Sequence, residues 1–229
     1  MTLNEMIYHR KSCRSFLGKP VDAEMIEKIL SFELKPLYPE IQVRMDIVSR
    51  DQVKCICPWT TPRLIAIYSE ETEGYLENIG FLFQQMDLYL QTLGLGVCWL
   101  GMGLMNPKTA PVVEGMKFVI MLAFGHPKGD QQRHDLKGFR RKSMEQISDN
   151  PDSRLEPARL APSAVNSQPW FFTHEGDTIH VHCSKKGSRL DIGIALAHLY
   201  VTNPEAFRFF QNQTIAEVPG YSYIGSLTI

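Results

Sequence analysis

The stretch "RLAPSAVNSQPWFF" (159–172) decides how the rest of the chain is interpreted. It is apolar, yet it has neither helical nor strand periodicity. Pro162 and Pro169 stiffen the backbone, and short polar side chains lie between them. Such a loop suits the edge of a planar heterocycle that carries carbonyl and N–H groups. The alternative is a capped helix end that leads into a strand.

The bulk composition is that of a globular protein with a good core. The chain has 229 residues, of which 44% are hydrophobic and 21% charged, and its net charge is −1. Neither a nucleic-acid binder nor a polybasic membrane anchor is indicated. No apolar run approaches the roughly 20 residues that span a bilayer. The N-terminus lacks the pattern of a signal peptide, so we expect a cytoplasmic protein without nucleic-acid or membrane partners.

The five cysteines are scattered, and in a cytoplasmic protein they are expected to be reduced thiols. Cys55 and Cys57 form a C-x-C, but no second ligand pair accompanies them. We therefore predict no metal site.

The predicted elements recur in the same order on the two sides of a composition break at "SDNPDS" (148–153). Each side has a helix, a strand pair, a long apolar helix and a closing strand. This order predicts an α+β fold with a mixed or antiparallel sheet flanked by helices, and an internal duplication. The clearest segments are the strands 41–48, 63–69, 117–125, 169–174, 178–183 and 221–229, and the helices within 20–32, 76–93, 154–161 and 189–202, the first of these with Asp22 as its N-cap.

Two basic segments could bind an anion. In "HRKSCRSF" (9–16) an extended backbone would direct Arg10, Ser12 and Arg14 to one side, where they suit a phosphate or the polar edge of a flavin. In "KGFRRKS" (137–143) three consecutive cations repel one another unless an anion lies nearby. For each segment the alternative is a solvated basic surface.

The glycine-rich segment "LGLGVCWLGMG" (93–103) allows close backbone approach to a ligand. It follows a helix and has the wrong spacing for the dinucleotide fingerprint. The alternative is a helix end that leads into a buried turn around Trp99. The sequence has no nucleophile elbow, zinc-protease motif or phosphate-binding P-loop.

Together these segments resemble the nitroreductase family of FMN-dependent oxidoreductases. "RKSCRSF" (10–16), "LGLGVCWLG" (93–101), "GHPKG" with "RRKSMEQI" (125–147) and "ARLAPSAVNSQPW" (158–170) are similar to its motifs. In ordinary members the APSxxNxQPW motif follows the N-terminal helix, whereas here it comes near residue 160. This order resembles the smaller TM nitroreductase subgroup, whose name is a family label and does not denote a membrane protein.

The displaced motif has a physical interpretation. Ordinary members of the family are intertwined homodimers in which both subunits build each flavin site. The resemblance therefore implies a fused, decayed pseudo-dimer with one intact FMN site, compatible with a monomer. Residues 1–150 would be a nitroreductase-like half with the phosphate and ribityl contacts. Residues 151–229 would be a shorter, degenerate half with the flavin loop, and the two halves together would form one compact unit.

The resemblance assigns roles to particular residues, with no choice made among the three basic residues at 140–142. The phosphate, ribityl and pyrimidine edge would be contacted by Arg10, Lys11, Ser12 and Arg14, with Arg140, Arg141 and Lys142 as further phosphate candidates. The isoalloxazine would be lined by Pro162, Ser163, Ala164, Asn166 and Gln168, with Trp99, Leu100 and Gly101 near its other side.

The activity implied is ping-pong oxidoreduction. NAD(P)H reduces FMN, and a nitroaromatic, a quinone or a similar electron-poor small molecule then takes the electrons. The flavin carries the chemistry, so no catalytic side chain is predicted. Two alternatives remain: other flavin chemistry on the same fold, such as reductive dehalogenation or flavin fragmentation, and a non-catalytic flavin-binding protein.

Overall fold

The computed structural model describes residues 1–55, 63–212 and 215–229. The chain divides into two compact units. Unit 1 comprises Met1–Tyr75 and Met86–His134, and unit 2 comprises Leu76–Gln85 and Asp135–Ile229. Cys57, half of the C-x-C for which no metal was predicted, lies outside the described residues.

Unit 1 begins with two short helices whose N-caps follow from the sequence. The Thr2 hydroxyl accepts from the Glu5 N–H at 3.2 Å, and Asp22, the predicted cap, accepts from the Met25 N–H at 2.8 Å. Its elements are α1 (Leu3–Ile7), α2 (Ala23–Ser31), β1 (Val43–Val48), β2 (Val53–Cys55), β3 (Arg63–Ser69), the second part of α3 (Tyr75–Thr92), β4 (Gly96–Leu100), β5 (Gly103–Met105) and β6 (Lys117–Gly125).

The core of unit 1 is a four-stranded antiparallel sheet in the order β1-β3-β6-β4. β3 is apolar from Leu64 to Tyr68, and all five residues are buried, as expected for a central strand covered on both faces. Met121 and Ala123 on β6 pack into the same cluster. Each large apolar side chain that is fully buried here contributes about 1.5–3 kcal/mol.

Unit 2 contains a second four-stranded antiparallel sheet, in the order β7-β8-β10-β9. Residues 190–199 of its long helix are all buried, so the helix is enclosed on every side, and the buried set includes the polar residues Asp191 and His198. Its elements are the first part of α3, α4 (Glu156–Leu160), β7 (Trp170–Glu175), β8 (Thr178–Ser184), α5 (Arg189–Thr202), β9 (Arg208–Phe210) and β10 (Tyr221–Thr228).

The two sheets have the same topology. In each, two strands precede the long helix and two follow it, and the last strand lies between the second and third. The predicted combination of helices and antiparallel sheets is confirmed. The division between the units falls before Asp135, so residues 135–150, assigned from the sequence to the first half, lie with the second.

A pair of glycines sets the crossing of α3 and α5 inside unit 2. An added Cβ at Gly80 would overlap the carbonyl oxygen of Leu190, and one at Gly193 would overlap that of Glu77. Each overlapped carbonyl is three positions before the other helix's glycine, so the contact is reciprocal. Only residues without a side chain allow two helix backbones to approach this closely.

Some features differ from expectation. β4 and β9 were not predicted as strands, and β9 has only three residues, too few for a periodic pattern. His180 and His182, two polar residues that alternate on β8, are both buried; their rings are hydrogen-bonded to Ser226 and Thr173 at 2.8 and 2.9 Å. Within the described residues, no helix combines the length and hydropathy that a membrane crossing requires.

Candidate functional site

The loop between α4 and β7 in unit 2 has an unusual backbone. A short 3-10 turn, Ala164–Asn166, lies at its centre. Among the described residues, the four non-glycine residues with positive φ are Arg140 at 51°, Val165 at 47°, Asn166 at 58° and Gln168 at 46°. Three belong to this loop and the fourth to the basic segment 140–142. Such backbones cost on the order of 1–3 kcal/mol each and persist only where the surroundings hold them.

Lys142 and Gln168 connect the basic segment to this loop. The Lys142 N–H donates to Gln168 Oε1 at 2.8 Å, and the Lys142 ammonium donates to the Gln168 carbonyl at 2.9 Å. Gln168 is 2% exposed and its side chain is hydrogen-bonded inside the protein, and its contact with the isoalloxazine stays a prediction. Two segments that the sequence proposed separately are therefore one structural element of unit 2.

Arg141 and Asn166 form a second connection between the same two segments. The Arg141 guanidinium donates to Asn166 Oδ1, to the Phe139 carbonyl at 3.1 Å and twice to the Leu160 carbonyl at 3.2–3.3 Å. The Asn166 amide donates to the Arg140 carbonyl at 3.0 Å. Most of the donors of Arg141, together with the oxygen and one N–H of the Asn166 amide, are thus used within unit 2.

Arg140 differs from the two cations that follow it. Its side chain is exposed and forms no hydrogen bond or ion pair with residues 1–55, 63–212 or 215–229. Because Arg141 and Lys142 are committed to the loop, Arg140 is the member of this segment best placed to bind an anion.

The exposed part of the loop combines two apolar and two polar residues. Ala164, Val165, Asn166 and Ser167 are exposed, and Val165 reaches 99%. Pro162 and Ser163 are half-buried, and the Ser163 hydroxyl accepts from the Gln168 N–H at 2.9 Å. A fully exposed β-branched residue in a left-handed conformation is rare in a loop with only a connecting role.

A buried carboxylate, missed in the sequence, supports the start of the turn. The Ala164 N–H donates to both oxygens of Asp191, at 3.1 and 3.2 Å, and Asp191 is 3% exposed. Burial raises the pKa of Asp191 to about 6, although the hydrogen bond from Ala164 opposes this rise. The signal in the sequence was one acidic residue inside the apolar run of α5.

The N-terminal segment in unit 1 contains a buried ion pair. Arg10 is 1% exposed, and its Nε donates to Asp87, which is fully buried, at 3.0 Å. Gln91 donates to the same carboxylate at 2.7 Å and accepts from the Lys11 N–H at 3.1 Å. A side chain as buried as Arg10 offers a ligand almost no surface, so it supports Ser12, its neighbour at 3.4 Å.

The remaining candidates of unit 1 fall into two groups. Lys11 and Arg14 are exposed, Ser12 and Trp99 are half-buried, and an added Cβ at Gly101 would meet no atom within 4 Å. These residues remain accessible to a ligand. Leu100, by contrast, is 5% exposed and packs in the core cluster of unit 1, so little of it can line a flavin.

Two further features bear on binding. Unit 1 has a cavity of about 170 Å³ lined by Gln91, Pro127 and Asp130 among others, which is smaller than the usual 300–1,000 Å³ of a cofactor pocket. In the part of the chain that the structure describes, no three His, Cys, Asp or Glu side chains are grouped to hold a metal ion. That the protein has no metal stays a prediction.

Comparison with known proteins identifies the family. The family model described as "Putative TM nitroreductase" matches residues 2–203. No curated protein is a significant match to the sequence. Among solved structures, the "putative nitroreductase" of Thermotoga maritima is similar over 99% of this chain and 92% of its own, with 22% identity and a TM-score of 0.68.

Other structural relatives match a smaller part of this chain. A nitroreductase family protein of Clostridium difficile 630 matches 64% of this chain and 96% of its own, with 15% identity and a TM-score of 0.50. An FMN-dependent nitroreductase of Clostridium difficile R20291 matches 58% and 95%, with 17% identity and a TM-score of 0.45. The family model covers most of the sequence, and the similarity to the Thermotoga maritima structure covers nearly the whole chain. The chain therefore belongs to the TM nitroreductase family and has a nitroreductase-like α+β fold.

Proposed function

We propose that the protein is an FMN-dependent oxidoreductase of nitroreductase type, which takes electrons from NAD(P)H and passes them to nitroaromatics, quinones or similar electron-poor acceptors. Family membership supports an oxidoreductase. The observation that carries the proposal is the element of unit 2 in which the uncommitted Arg140 adjoins a strained, firmly held loop with an exposed apolar surface.

The residues of unit 2 fit the chemistry of FMN. A phosphate requires a cation with free donors, which Arg140 supplies beside the loop. A planar isoalloxazine requires apolar contacts, which the exposed Ala164 and Val165 and the half-buried Pro162 can provide. The strain at Val165 is consistent with a backbone held in place for a ligand.

In unit 1 the proposed contacts are Lys11, Ser12, Arg14, Trp99 and Gly101, which are exposed or half-buried. Lys11 and Arg14 suit the phosphate and the polar ring edge through charge and donor geometry. For the buried Arg10 and Leu100 we propose a supporting role, because neither can give a ligand much contact area.

The protein's own contribution is binding and orientation. Bound FMN would supply hydride acceptance from NAD(P)H and electron donation to the acceptor. Arg140 would hold the phosphate, while Arg141 and Lys142 keep the loop fixed.

We also propose that the chain is a monomeric pseudo-dimer with one FMN per chain. The shared strand order of the two sheets and the reciprocal contacts of Gly80 and Gly193 support an origin by duplication. The proposed partners are small molecules: the nicotinamide donor, the electron acceptor and FMN.

The function is tested by anaerobic reduction. The FMN-loaded protein is mixed with NADH or NADPH, and the flavin absorbance is followed before and after adding a nitroaromatic or a quinone. Bleaching by the nucleotide and recovery with the acceptor are expected. A flavin-loaded protein that neither nucleotide reduces would instead be a flavin-binding protein without this activity.

A further inference from the structure

Asp191 is a buried carboxylate on a helix that is otherwise mainly apolar. It lies in the first turn of α5, where every residue from 190 to 199 is buried. Burying a carboxylate is costly unless donors compensate it. The donor that the described residues provide is the Ala164 N–H, which reaches both carboxylate oxygens.

The Ala164 N–H lies at the start of the 3-10 turn, where the backbone needs a partner from outside the turn. Ala164 begins the 3-10 turn, so its N–H has no partner within that turn. The next two residues, Val165 and Asn166, have left-handed backbones that require external support. Asp191 supplies that support from the helix beneath, whereas Arg141 and Lys142 hold the far end of the loop.

We propose that Asp191 is a positioning residue for the flavin loop: by fixing the Ala164 N–H, it sets the place of the exposed Ala164–Val165 surface without itself touching the ligand. The expected effect on FMN binding rests on the proposed function. The effect of the Asp191 carboxylate on the loop itself does not, and it can be measured without FMN.

Other titratable groups around Asp191 are Glu77, Arg189 and Cys183. Glu77 on α3 and Arg189 on α5 form an ion pair with each other. On β8, burial together with the charges of Glu77 and Asp191 raises the pKa of Cys183 to about 11, so this thiol stays neutral at ordinary pH. Burial raises the pKa of Asp191 to about 6, so its charge changes in weakly acidic solution.

The first test uses NMR of the protein without FMN. In the wild type, the Ala164 amide proton shift is expected to titrate with a midpoint near pH 6, following Asp191. In Asp191→Asn the titration is expected to vanish. Asp152→Asn, which removes a carboxylate bonded to Arg154 in the same unit, is the control and should leave the Ala164 titration intact. A wild-type Ala164 amide insensitive to pH would overturn the proposal.

The second test measures FMN binding at neutral pH. Without the hydrogen bond from the Ala164 N–H to Asp191, FMN binding must itself order the loop. A charge-assisted hydrogen bond is worth about tenfold or more in an equilibrium, so Asp191→Ala is expected to weaken FMN binding about tenfold and to shift the flavin spectrum. Asp191→Asn keeps one acceptor oxygen and should recover most of the affinity. A role limited to stabilising the start of α5 predicts a lower melting temperature with unchanged FMN affinity and spectrum, which would contradict the proposal.

The two levels of the proposal fail differently. If the wild type binds no FMN, the proposed function is wrong, and the Ala164 titration alone decides whether Asp191 positions the loop. If the wild type binds FMN and Asp191→Ala binds it equally well with an unchanged spectrum, the function stands and the positioning role is wrong.

Discussion

Lys142 and Gln168 are joined by two hydrogen bonds, one from the Lys142 N–H to the Gln168 side chain and one from the Lys142 ammonium to the Gln168 carbonyl. The pair makes the segment 140–142 and the loop before β7 one rigid element. It also removes Lys142 from the cations available to a ligand and leaves Arg140 exposed beside the loop.

Gln168→Ala should therefore destabilise the protein and loosen the loop. The Lys142 N–H loses its acceptor, and an unpaired, partly buried donor costs about 1–3 kcal/mol. The free energy of unfolding, measured by urea denaturation, is expected to fall by that amount. Gln211→Ala is the control, because this exposed glutamine donates one bond to the Ile224 carbonyl and should cost clearly less. Equal losses would contradict the account.

Gly80→Ala and Gly193→Ala should each destabilise unit 2. Either methyl group would overlap a carbonyl of the opposite helix, and forced separation of packed elements costs about 1–3 kcal/mol or more. Because both changes push the same two helices apart, the double variant should lose less than the sum of the single losses. Gly18→Ala, where an added Cβ meets nothing within 4 Å, is the thermal-denaturation control. Strictly additive losses would argue against a shared crossing.

Asp87→Ala should be among the most damaging changes in unit 1. It leaves the Arg10 guanidinium buried without its carboxylate, a situation that costs about 3–5 kcal/mol. Replacing both partners, as Arg10→Met with Asp87→Leu, should restore much of the stability, which guanidinium denaturation can measure. Glu24→Ala, which breaks an exposed pair with Lys28, should have little effect. A double variant as unstable as Asp87→Ala would contradict the explanation that the loss of stability comes from the unpaired charge of Arg10.

Weak acid should destabilise unit 2 through His182. Burial, and secondarily the charge of His180, lower the pKa of His182 below its ordinary value of 6.5. The unfolded chain then binds more protons, so the free energy of unfolding falls as the pH drops through about 6.5 and is fully retained above it. Protonation of Asp191, whose pKa is raised to about 6, has the opposite effect: it increases the free energy of unfolding as the pH falls below that value. The contribution of His182 is therefore isolated by comparing variants.

The test measures the free energy of unfolding between about pH 8 and about pH 5, the range in which an ordinary histidine titrates. His182→Asn should show a flatter pH profile than the wild type. His134→Asn, which changes an exposed histidine, should keep the wild-type slope. Parallel profiles for all three proteins would exclude His182 as the source of the acid sensitivity.

The sequence was sufficient to predict the main elements because their signals are local. The cap at Asp22, the long apolar helix α3 and the central strand β3 each follow from periodicity or capping within a few residues. The loop at 162–168 was likewise recognisable from its own composition. Strand β9 could not be predicted, because three residues carry no period and their pairing with β10 is a tertiary choice.

The roles of the candidate side chains were less predictable than their positions. Arg10, Arg141 and Lys142 have the same chemistry whether they meet a ligand or the protein's own acceptors. Whether they bind a ligand or the protein depends on their partners Asp87, Asn166 and Gln168, which are 25 or more positions away in the chain. Local patterns identify donors, but the acceptors that use them are fixed only by the fold.

The central claim is that the chain binds FMN with Arg140 as a phosphate contact, and a titration with FMN tests it most directly. The wild type should bind one FMN per chain. Arg140→Ala, which removes charge-assisted contacts, should bind about tenfold more weakly. Lys137→Ala, an exposed cation three residues earlier, should bind like the wild type. A wild type that shows no saturable binding of FMN, or an Arg140→Ala variant with wild-type affinity, would contradict the account.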